Sequence, residues 1–240
     1  MEKKAEWLSE EEGRITFYEG NRVFLTMQVF FTGEEEAEFR IQDVVFPGNI
    51  TKNDDMCKEI TSKMTRCISE TFRLLWEEGY EETTLVEQEG TKTAEILDST
   101  NVVKVAYKEY MMKRRFPLQK STDCGLDTLK LTKTEDGYCC ENTEKTFFCR
   151  LLNYEGEQAK EACFYLYEVE VDEKKRNKGI GTACLTELFS RLCRQAAVTV
   201  YLQVGSYNEP AVHLYKKLGF EVTEELCYYT LAEEFWPEEE

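Results

Sequence analysis

The sequence predicts an α/β fold that is built twice, each half having a mixed sheet flanked by helices. Three observations carry this prediction. Short runs that alternate apolar and polar residues are interleaved with longer runs of helical period. These runs follow the same order in both halves, namely three strands, a helix, a strand, a helix and a strand, and two segments of the first half resemble segments of the second. We therefore expect an internal duplication, with one domain at residues 1–122 and another at 123–240.

The elements of the first half follow from these patterns. Five apolar residues recur at helical spacing, which predicts a helix with one buried face. They are Ile60, Met64, Ile68, Phe72 and Leu75. The predicted elements are strands at residues 14–18, 23–31, 37–46 and 83–86, a helix that begins near Asn53 and ends at Gly79, and a helix at 94–112.

The second half is predicted in the same way. Four apolar residues at positions i, i+3, i+4 and i+7 indicate a helix with a buried stripe. They are Leu185, Leu188, Phe189 and Leu192. The predicted elements are strands at residues 129–134, 146–153, 163–171, 198–204 and 221–231, a helix after Gly181, and a helix through His213 to Leu218.

Two pairs of segments support the duplication. Residues 39–46 match residues 164–171 in their apolar positions and in one acidic residue. Residues 101–107 echo residues 208–215 with one residue fewer. A chance likeness between two α/β halves would produce similar matches, so both explanations stay open.

Composition and charge narrow the classes of function. The chain has 240 residues, of which 42% are hydrophobic, and a formal net charge of −17. Nucleic acids and anionic membranes are disfavoured as partners, because binding phosphate groups needs a basic face, whereas a cationic substrate is permitted. No run approaches the roughly 20 apolar residues of a membrane helix, and the N-terminus lacks an apolar leader. We therefore expect a cytoplasmic protein.

Cysteine and histidine usage argues against metal and thiol chemistry. The ten cysteines are scattered, mostly within apolar patterns, and no Cys-x-x-Cys occurs. His213 is the only histidine. The sequence therefore offers few residues for a zinc site or a Cys/His nucleophile pair. We expect no bound metal, and we expect the cysteines to be reduced thiols in the core.

A basic turn, Arg176-Asn177-Lys178-Gly179-Ile180-Gly181, follows a predicted strand and opens a helix. Glycines allow close approach of the backbone to a ligand, successive N–H groups form a donor nest, and the helix N-terminus adds partial positive charge. With Lys174 and Lys175 the turn places four cations within five residues. These features favour a phosphate site, although a solvated basic turn would have the same composition.

The corresponding stretch of the first half has a different character. Residues 47–55 place carboxylates at the helix start and contain no paired glycines. Carboxylates there complement the helix dipole and would repel a pyrophosphate. We expect the first half to bind no cofactor, so that the chain binds one rather than two.

Two motifs of the second half resemble those of the GNAT (Gcn5-related) N-acetyltransferases. Arg176-x-x-Gly179-x-Gly181 is similar to the family's acyl-CoA signature, and Val169-Glu170-Val171-Asp172 resembles the strand before it. Residues 208–220 resemble the second signature, an Asn before a helix that bears Leu-Tyr and closes with Leu-Gly-Phe. The resemblance covers residues 125–240 and implies a GNAT-like fold there. The internal duplication alone extends this to a tandem GNAT-like fold with a degenerate first half.

The resemblance implies that acetyl-CoA is the co-substrate. The pyrophosphate would be held by backbone N–H groups at the helix start, while Arg176 and Lys178 neutralise phosphate charge. Main-chain groups of Val169 and Val171 would bind the pantetheine arm, with Asn208 either bonding it or capping its helix. The six residues implied to supply the N–H groups are Asn177, Lys178, Gly179, Ile180, Gly181 and Thr182.

The implied reaction is direct attack of an amine acceptor on acetyl-CoA. Tyr215 matches the family's usual general acid, whose phenol protonates the departing thiolate. The central strand carries Tyr165 and Tyr167 where the family often has an acidic residue or histidine. Glu170 is the candidate base, although strand alternation places it on the other face unless a β-bulge resets it. A non-catalytic acyl-CoA-binding or protein-interaction module is the alternative.

Overall fold

The computed structural model describes residues 1–45, 55–118, 128–154 and 162–236, with side chains from residue 58 onward in the second segment. Two compact units result: Met1–Lys108 with Leu226–Glu240, and Glu109–Glu225. The predicted domain boundary near residue 122 lies outside the described residues, so this division of the sequence stays a prediction. No helix within the described segments is long and apolar enough to span a membrane.

The elements occur in one order that is repeated. Four strands, a helix, a strand, a helix and a strand are followed by the same series, which agrees with the predicted α/β fold in two similar halves. The first series is β1 Glu2–Trp7, β2 Glu12–Glu19, β3 Arg22–Phe31, β4 Glu36–Val44, α1 Asp55–Glu77, β5 Glu82–Gln88, α2 Lys92–Asp98 and β6 Val103–Phe116. The second is β7 Leu129–Lys133, β8 Gly137–Asn142, β9 Phe147–Asn153, β10 Ala162–Val171, α3 Ile180–Leu192, β11 Val198–Gly205, α4 Glu209–Lys217 and β12 Glu221–Leu231.

Strand pairing follows one scheme in each unit. In the first, β1 to β4 are antiparallel, β4 pairs in parallel with β5, and β5 pairs antiparallel with residues 226–229 of β12. In the second, β7 to β10 are antiparallel, β10 pairs in parallel with β11, and β11 pairs antiparallel with residues 109–116 of β6. The last strand of each sequence half therefore completes the sheet of the other half, which is why the compact units differ from the sequence halves.

The predicted core stripe of α1 is confirmed. All five of its apolar residues are at most 5% exposed and belong to the core of the first unit. The rings of Phe72 and Phe39 on β4 meet edge to face, with centroids 4.9 Å apart. The helix therefore packs on the sheet through the face that its sequence period predicted.

The predicted helix at 94–112 is wrong. The helix α2 ends at Asp98, where the N–H of Ser99 turns back to the carbonyl of Ile96, and residues 103–116 form β6. Pairing of β6 with β11 determines this strand, and that partner is too distant in sequence to be read locally. The sequence likeness between residues 101–107 and 208–215 is therefore not matched by their structures. The first segment leads into the strand β6, and the second caps and begins the helix α4.

Two further strands, β1 and β8, were not predicted. The strand β1 lies at a sheet edge and is mostly charged and exposed, so it lacks an apolar alternation. The strand β8 begins at Gly137, where an added Cβ would lie 1.9 Å from the carbonyl oxygen of Leu151 on β9. Glycine permits this close approach of two backbones.

Phe72→Ala should lower the free energy of unfolding of the first unit by about 3–5 kcal/mol, because it leaves a cavity beside Phe39. Urea denaturation followed by circular dichroism measures the change. Val23→Ala is the control, since Val23 is 42% exposed in the same unit, and it should change stability by less than about 0.5 kcal/mol. Equal destabilisation by both substitutions would contradict the packing described.

Candidate active site

The candidate site begins where two parallel strands separate. The pairing of β10 with β11 runs from Ala162↔Val198 to Tyr165↔Tyr201 and stops there. On its other side, β10 stays paired with β9 as far as Val171. Its last residues therefore have main-chain groups on the β11 side that no β11 residue pairs with, and an opening forms between the two strands.

A β-bulge accompanies this separation. The register between β10 and β9 shifts after Tyr167↔Arg150, and the next pair is Glu170↔Phe148. Two residues of β10 thus stand opposite one residue of β9, and Glu168 adopts a left-handed backbone with φ of 48°. Glu168 also forms an ion pair with Arg150, with Oε2 and Nε 2.9 Å apart.

The bulge resets which side chains share a face. Before it, Phe164 and Leu166 lie in the core beneath α3 and α4, and after it Val169 and Val171 pack against that core. Glu170 then lies on the opposite face with Tyr165 and Tyr167, since its partner Phe148 shares a face with Arg150, the partner of Tyr167. We call this the tyrosine face. The simple alternation that separated Glu170 from the tyrosines is thereby corrected.

The basic turn after β10 is tightly organised. Asp172 accepts a hydrogen bond from the N–H of Lys174 at 2.8 Å, and the Arg176 Nε donates to the Val171 carbonyl at 3.1 Å. The Lys178 Nζ donates to the Lys174 carbonyl at 3.0 Å. Between Arg176 and Lys178, Asn177 adopts a left-handed backbone with a φ of 61°. These contacts give the turn a defined shape and direct the chain into α3.

The start of α3 has no side chain that caps it. Gly179 is the residue before the helix, has a φ of 80°, and offers no side-chain acceptor to the first turn. The N–H groups of Ile180, Gly181 and Thr182 precede the first internal hydrogen bond, which Ala183 donates to Gly179. Donors of this kind at a helix N-terminus attract anions.

One cavity brings the predicted residues together. It has a volume of about 640 Å³ and is bounded by the end of β10, the basic turn, the start of α3 and one side of α4. Every predicted site residue lines it except Lys178, whose amine is bonded to Lys174. Sequence reasoning missed Lys217 and His213, which also line it from α4 and lie within the second motif.

Gly181 lies where three elements meet. A Cβ at this position would be 3.4 Å from Cδ2 of Leu214 on α4 and 3.5 Å from Cγ2 of Val171 on β10. A methyl group would fit with little adjustment, whereas a longer side chain would have to extend into the cavity. The position therefore controls the space at the start of α3.

Asn208 is occupied by the backbone next to it. Its Oδ1 accepts a hydrogen bond from the N–H of Ala211 at 3.3 Å and so caps α4. The residue also lines the cavity. Capping accounts for an asparagine here, and any contact with a ligand would involve the rest of its amide.

Tyr215 lines the cavity from α4 and is only 7% exposed. Its ring meets that of Phe220 edge to face, with centroids 5.9 Å apart. Burial, with a smaller contribution from Cys149, raises the pKa of Tyr215 to about 12. The phenol therefore carries its proton throughout the neutral range.

The stretch of the first half that corresponds to the basic turn falls at residues 47–55, and residues 46–54 lie outside the described part of the chain. The expectation of one cofactor per chain accordingly stays a prediction. The fourth strand of the first unit has its own register shift, opposite Thr26 and Met27 of β3. A bulge near the end of this strand is thus common to both units.

Residues 133–220 match the family model described as Acetyltransferase (GNAT) family. The ribosomal protein bS18-alanine N-acetyltransferase of Escherichia coli K12 is 35% identical over 65 residues, which are 27% of this chain and 44% of that protein. The mycothiol acetyltransferase of Corynebacterium aurimucosum is 35% identical over 68 residues, which are 28% and 22% of the two chains. The chain spans less than half the length of these relatives.

Two solved structures resemble nearly the whole chain. A GCN5-related N-acetyltransferase from Sphaerobacter thermophilus has a TM-score of 0.60 at 12% identity, with 96% of this chain and 82% of that one covered. A tandem GNAT protein from the clavulanic acid biosynthesis pathway has a TM-score of 0.55 at 11% identity, with 99% and 85% covered. At these identities the likeness concerns the fold, and it confirms the predicted tandem GNAT-like architecture.

The ionisation of Tyr215 can be followed directly. In protein labelled with 13C at tyrosine Cζ, the resonance that disappears in Tyr215→Phe should keep its neutral-phenol shift from pH 7 to about pH 10, because burial raises its pKa to about 12. Movement of that resonance below pH 9 would contradict the burial that the structure assigns to the phenol.

Proposed function

We propose that this chain, whose residues 133–220 match the GNAT acetyltransferase family model, transfers an acetyl group from acetyl-CoA to a primary amine. The observation that carries the proposal is the cavity that joins the uncapped start of α3 to the bulge of β10 and to Tyr215. A phosphate nest, an unpaired strand edge and a buried proton donor are the three parts that acyl transfer from CoA needs.

The donor would bind along this cavity. Its pyrophosphate accepts hydrogen bonds from the N–H groups at residues 177–182, and Arg176 and Lys217 lie on the cavity wall with compensating charge. The pantetheine arm lies against β10 beyond Tyr165, where pairing with β11 has ended. There it bonds main-chain groups of Val169 and Val171, as an added strand would.

The chemical step follows from this placement. The amine nitrogen attacks the thioester carbon, and the N–H near Val169 stabilises the developing oxyanion. The carbon–sulfur bond then breaks, and the Tyr215 phenol donates its proton to the departing thiolate. The products are an acetamide and CoA, without a covalent enzyme intermediate.

Glu170 is the proposed base. The bulge directs it to the tyrosine face, it lines the cavity, and it is exposed to solvent. The neighbouring carboxylate, Glu168, is engaged by Arg150. Glu170 would remove the proton of the attacking ammonium, directly or through water, so that the nitrogen lone pair becomes available.

The cytoplasm is the proposed location. The eight cysteines in the described segments are not joined by disulfides. Most of them are buried, and burial raises the thiol pKa of Cys184 to about 11 and that of Cys67 to about 12. Thiols in this state suit a reducing compartment.

Two measurements test the proposed function. Calorimetric titration with acetyl-CoA should give one site per chain, and a free-thiol assay should detect CoA release with at least one of butylamine, spermidine, glycinamide and an alanine tripeptide amide. Binding of acetyl-CoA without CoA release for any of these amines would favour the non-catalytic module. Absence of binding would overturn both readings.

Tyr215→Phe should lower kcat by roughly 10²–10⁴-fold, the usual range for a lost general acid, while leaving the Kd for acetyl-CoA nearly unchanged. The substitution keeps the ring that packs on Phe220 and removes only the proton donor. Stopped-assay kinetics and calorimetry on the same preparation separate the two effects. An unchanged kcat would remove Tyr215 from the reaction.

Gly181→Asp should abolish acetyl-CoA binding, because its carboxylate would occupy the nest that receives the pyrophosphate. Gly181→Ala is the matched control, since its methyl group meets only Leu214 and Val171 at 3.4 and 3.5 Å. Its Kd should stay within a few-fold of the parent, as expected for ordinary packing contacts. Equal affinities for the two variants would mean that the anion site lies elsewhere.

A further inference from the structure

We propose that Glu109 binds the ammonium group of the acceptor on the tyrosine face, opposite Glu170, and so selects amines that carry no neighbouring carboxylate. This inference rests on the proposed function, because it assigns the second substrate of the same site. No motif of the sequence indicates Glu109, which lies outside the part of the chain that matches the family.

The face on which Glu109 lies follows from the alternation along β6. Met112 and Phe116 are in the core of the second unit, and Tyr110 packs against it. Glu109 and Met111 therefore point to the other side of the sheet. The same alternation along β11 buries Val204 and neighbouring even-numbered residues, so Gln203 and Gly205 belong to the tyrosine face.

Residue counts along the two strands place Glu109 and Glu170 at corresponding positions. Gly205 of β11 is the direct partner of Glu109, and it lies four residues beyond Tyr201, the last residue paired with β10. Glu170 lies five residues beyond Tyr165 on β10, and one of these five is the additional residue of the bulge. The two carboxylates thus flank Gly205 from neighbouring strands, about 10 Å or more apart at the backbone.

Gly205, which lies between the two glutamates, has no side chain. A Cβ on Gly205 would lie 2.5 Å from Cε1 of Tyr207, so the ring of Tyr207 covers the glycine backbone. Tyr207 is 75% exposed, more than any other large hydrophobic residue among those described. An exposed aromatic face between two carboxylates is suited to an ammonium group.

Glu109 is held in place by its neighbours. The Gln203 amide donates a hydrogen bond to the Glu109 carboxylate across the two strands. Tyr165 lies near the same carboxylate, since its pKa is raised by burial and, in second place, by the charge of Glu109. The other rings of this face have their own partners: Tyr154 packs on Tyr201 with centroids 5.1 Å apart, and Lys113 lies 5.0 Å from the Tyr201 centroid.

The arrangement gives the two glutamates different roles. Amines arrive protonated at neutral pH, since an alkylammonium has a pKa of about 10.4. Glu109 attracts and positions this cation, and Glu170 accepts a proton from it before the nitrogen attacks. An α-amino acid would bring its own carboxylate between two others and be repelled, whereas the corresponding amide would be accepted.

The test compares acceptors and variants. In the parent protein kcat/KM should be at least about tenfold higher for glycinamide than for glycine, a difference of 1.4 kcal/mol. Glu109→Gln should raise the KM for glycinamide or butylamine about tenfold, the effect of losing one charged hydrogen bond, and should reduce the preference for glycinamide. The Kd for acetyl-CoA should stay the same, and Glu170→Gln should act on kcat instead.

Glu141→Gln is the matched control. Glu141 lies on β8 opposite Phe148, which is also the partner of Glu170, so both glutamates lie on the same face. The substitution therefore removes one negative charge from that face, on the side of β10 away from Glu109. It should leave KM for the amines unchanged. If Glu109→Gln behaves like Glu141→Gln, or if glycine is used as well as glycinamide, the assignment of Glu109 is wrong.

A binding measurement keeps the two proposals distinguishable. If none of the amines releases CoA, the proposed function fails, but calorimetry of spermidine against the parent protein saturated with CoA still probes the cation site. Weaker binding in Glu109→Gln than in Glu141→Gln would support that site. Equal binding, or no binding to the parent protein, would overturn it.

Discussion

The β-bulge of β10 is the constraint on which the candidate site depends. One additional residue between Tyr167 and Glu170 coincides with the end of pairing with β11. The same residue moves Val169 and Val171 onto the core and Glu170 onto the tyrosine face. The unpaired edge that we propose for the donor and the carboxylate that we propose as base thus lie next to each other at one local change in register.

The forces that hold the bulge can be ranked. The Arg150–Glu168 ion pair spans it, but both side chains are about half exposed, and such pairs contribute at most about 1 kcal/mol. Val169 and Val171 are partly buried, so each contributes a part of the roughly 1.5–3 kcal/mol that full burial of such a side chain gives. Their packing and the pairing with β9 stabilise the bulge together with an ion pair that adds little.

Local charge reconciles a strongly acidic chain with an anionic donor. The net charge of −17 would repel CoA at long range, but salt limits such effects to about 8 Å at physiological ionic strength. Within that distance the proposed donor site has Lys175, Arg176 and the start of α3, whereas the tyrosine face carries Glu109 and Glu170. The anionic donor would then bind beside the basic turn, and the cationic acceptor would bind on the acidic tyrosine face.

The sequence by itself determined the basic turn, the helix it opens, the second motif with Tyr215, and the apolar stripe of α1, because each depends on residues within a few turns or a single strand. Only the tertiary structure decided that residues 103–116 form a strand, that β6 and β12 complete the sheet of the other half, and that Glu109 pairs with Gly205. Strand pairing joins residues that lie far apart along the chain, and a one-residue bulge changes the face of every side chain after it. Neither effect leaves a local periodic signal.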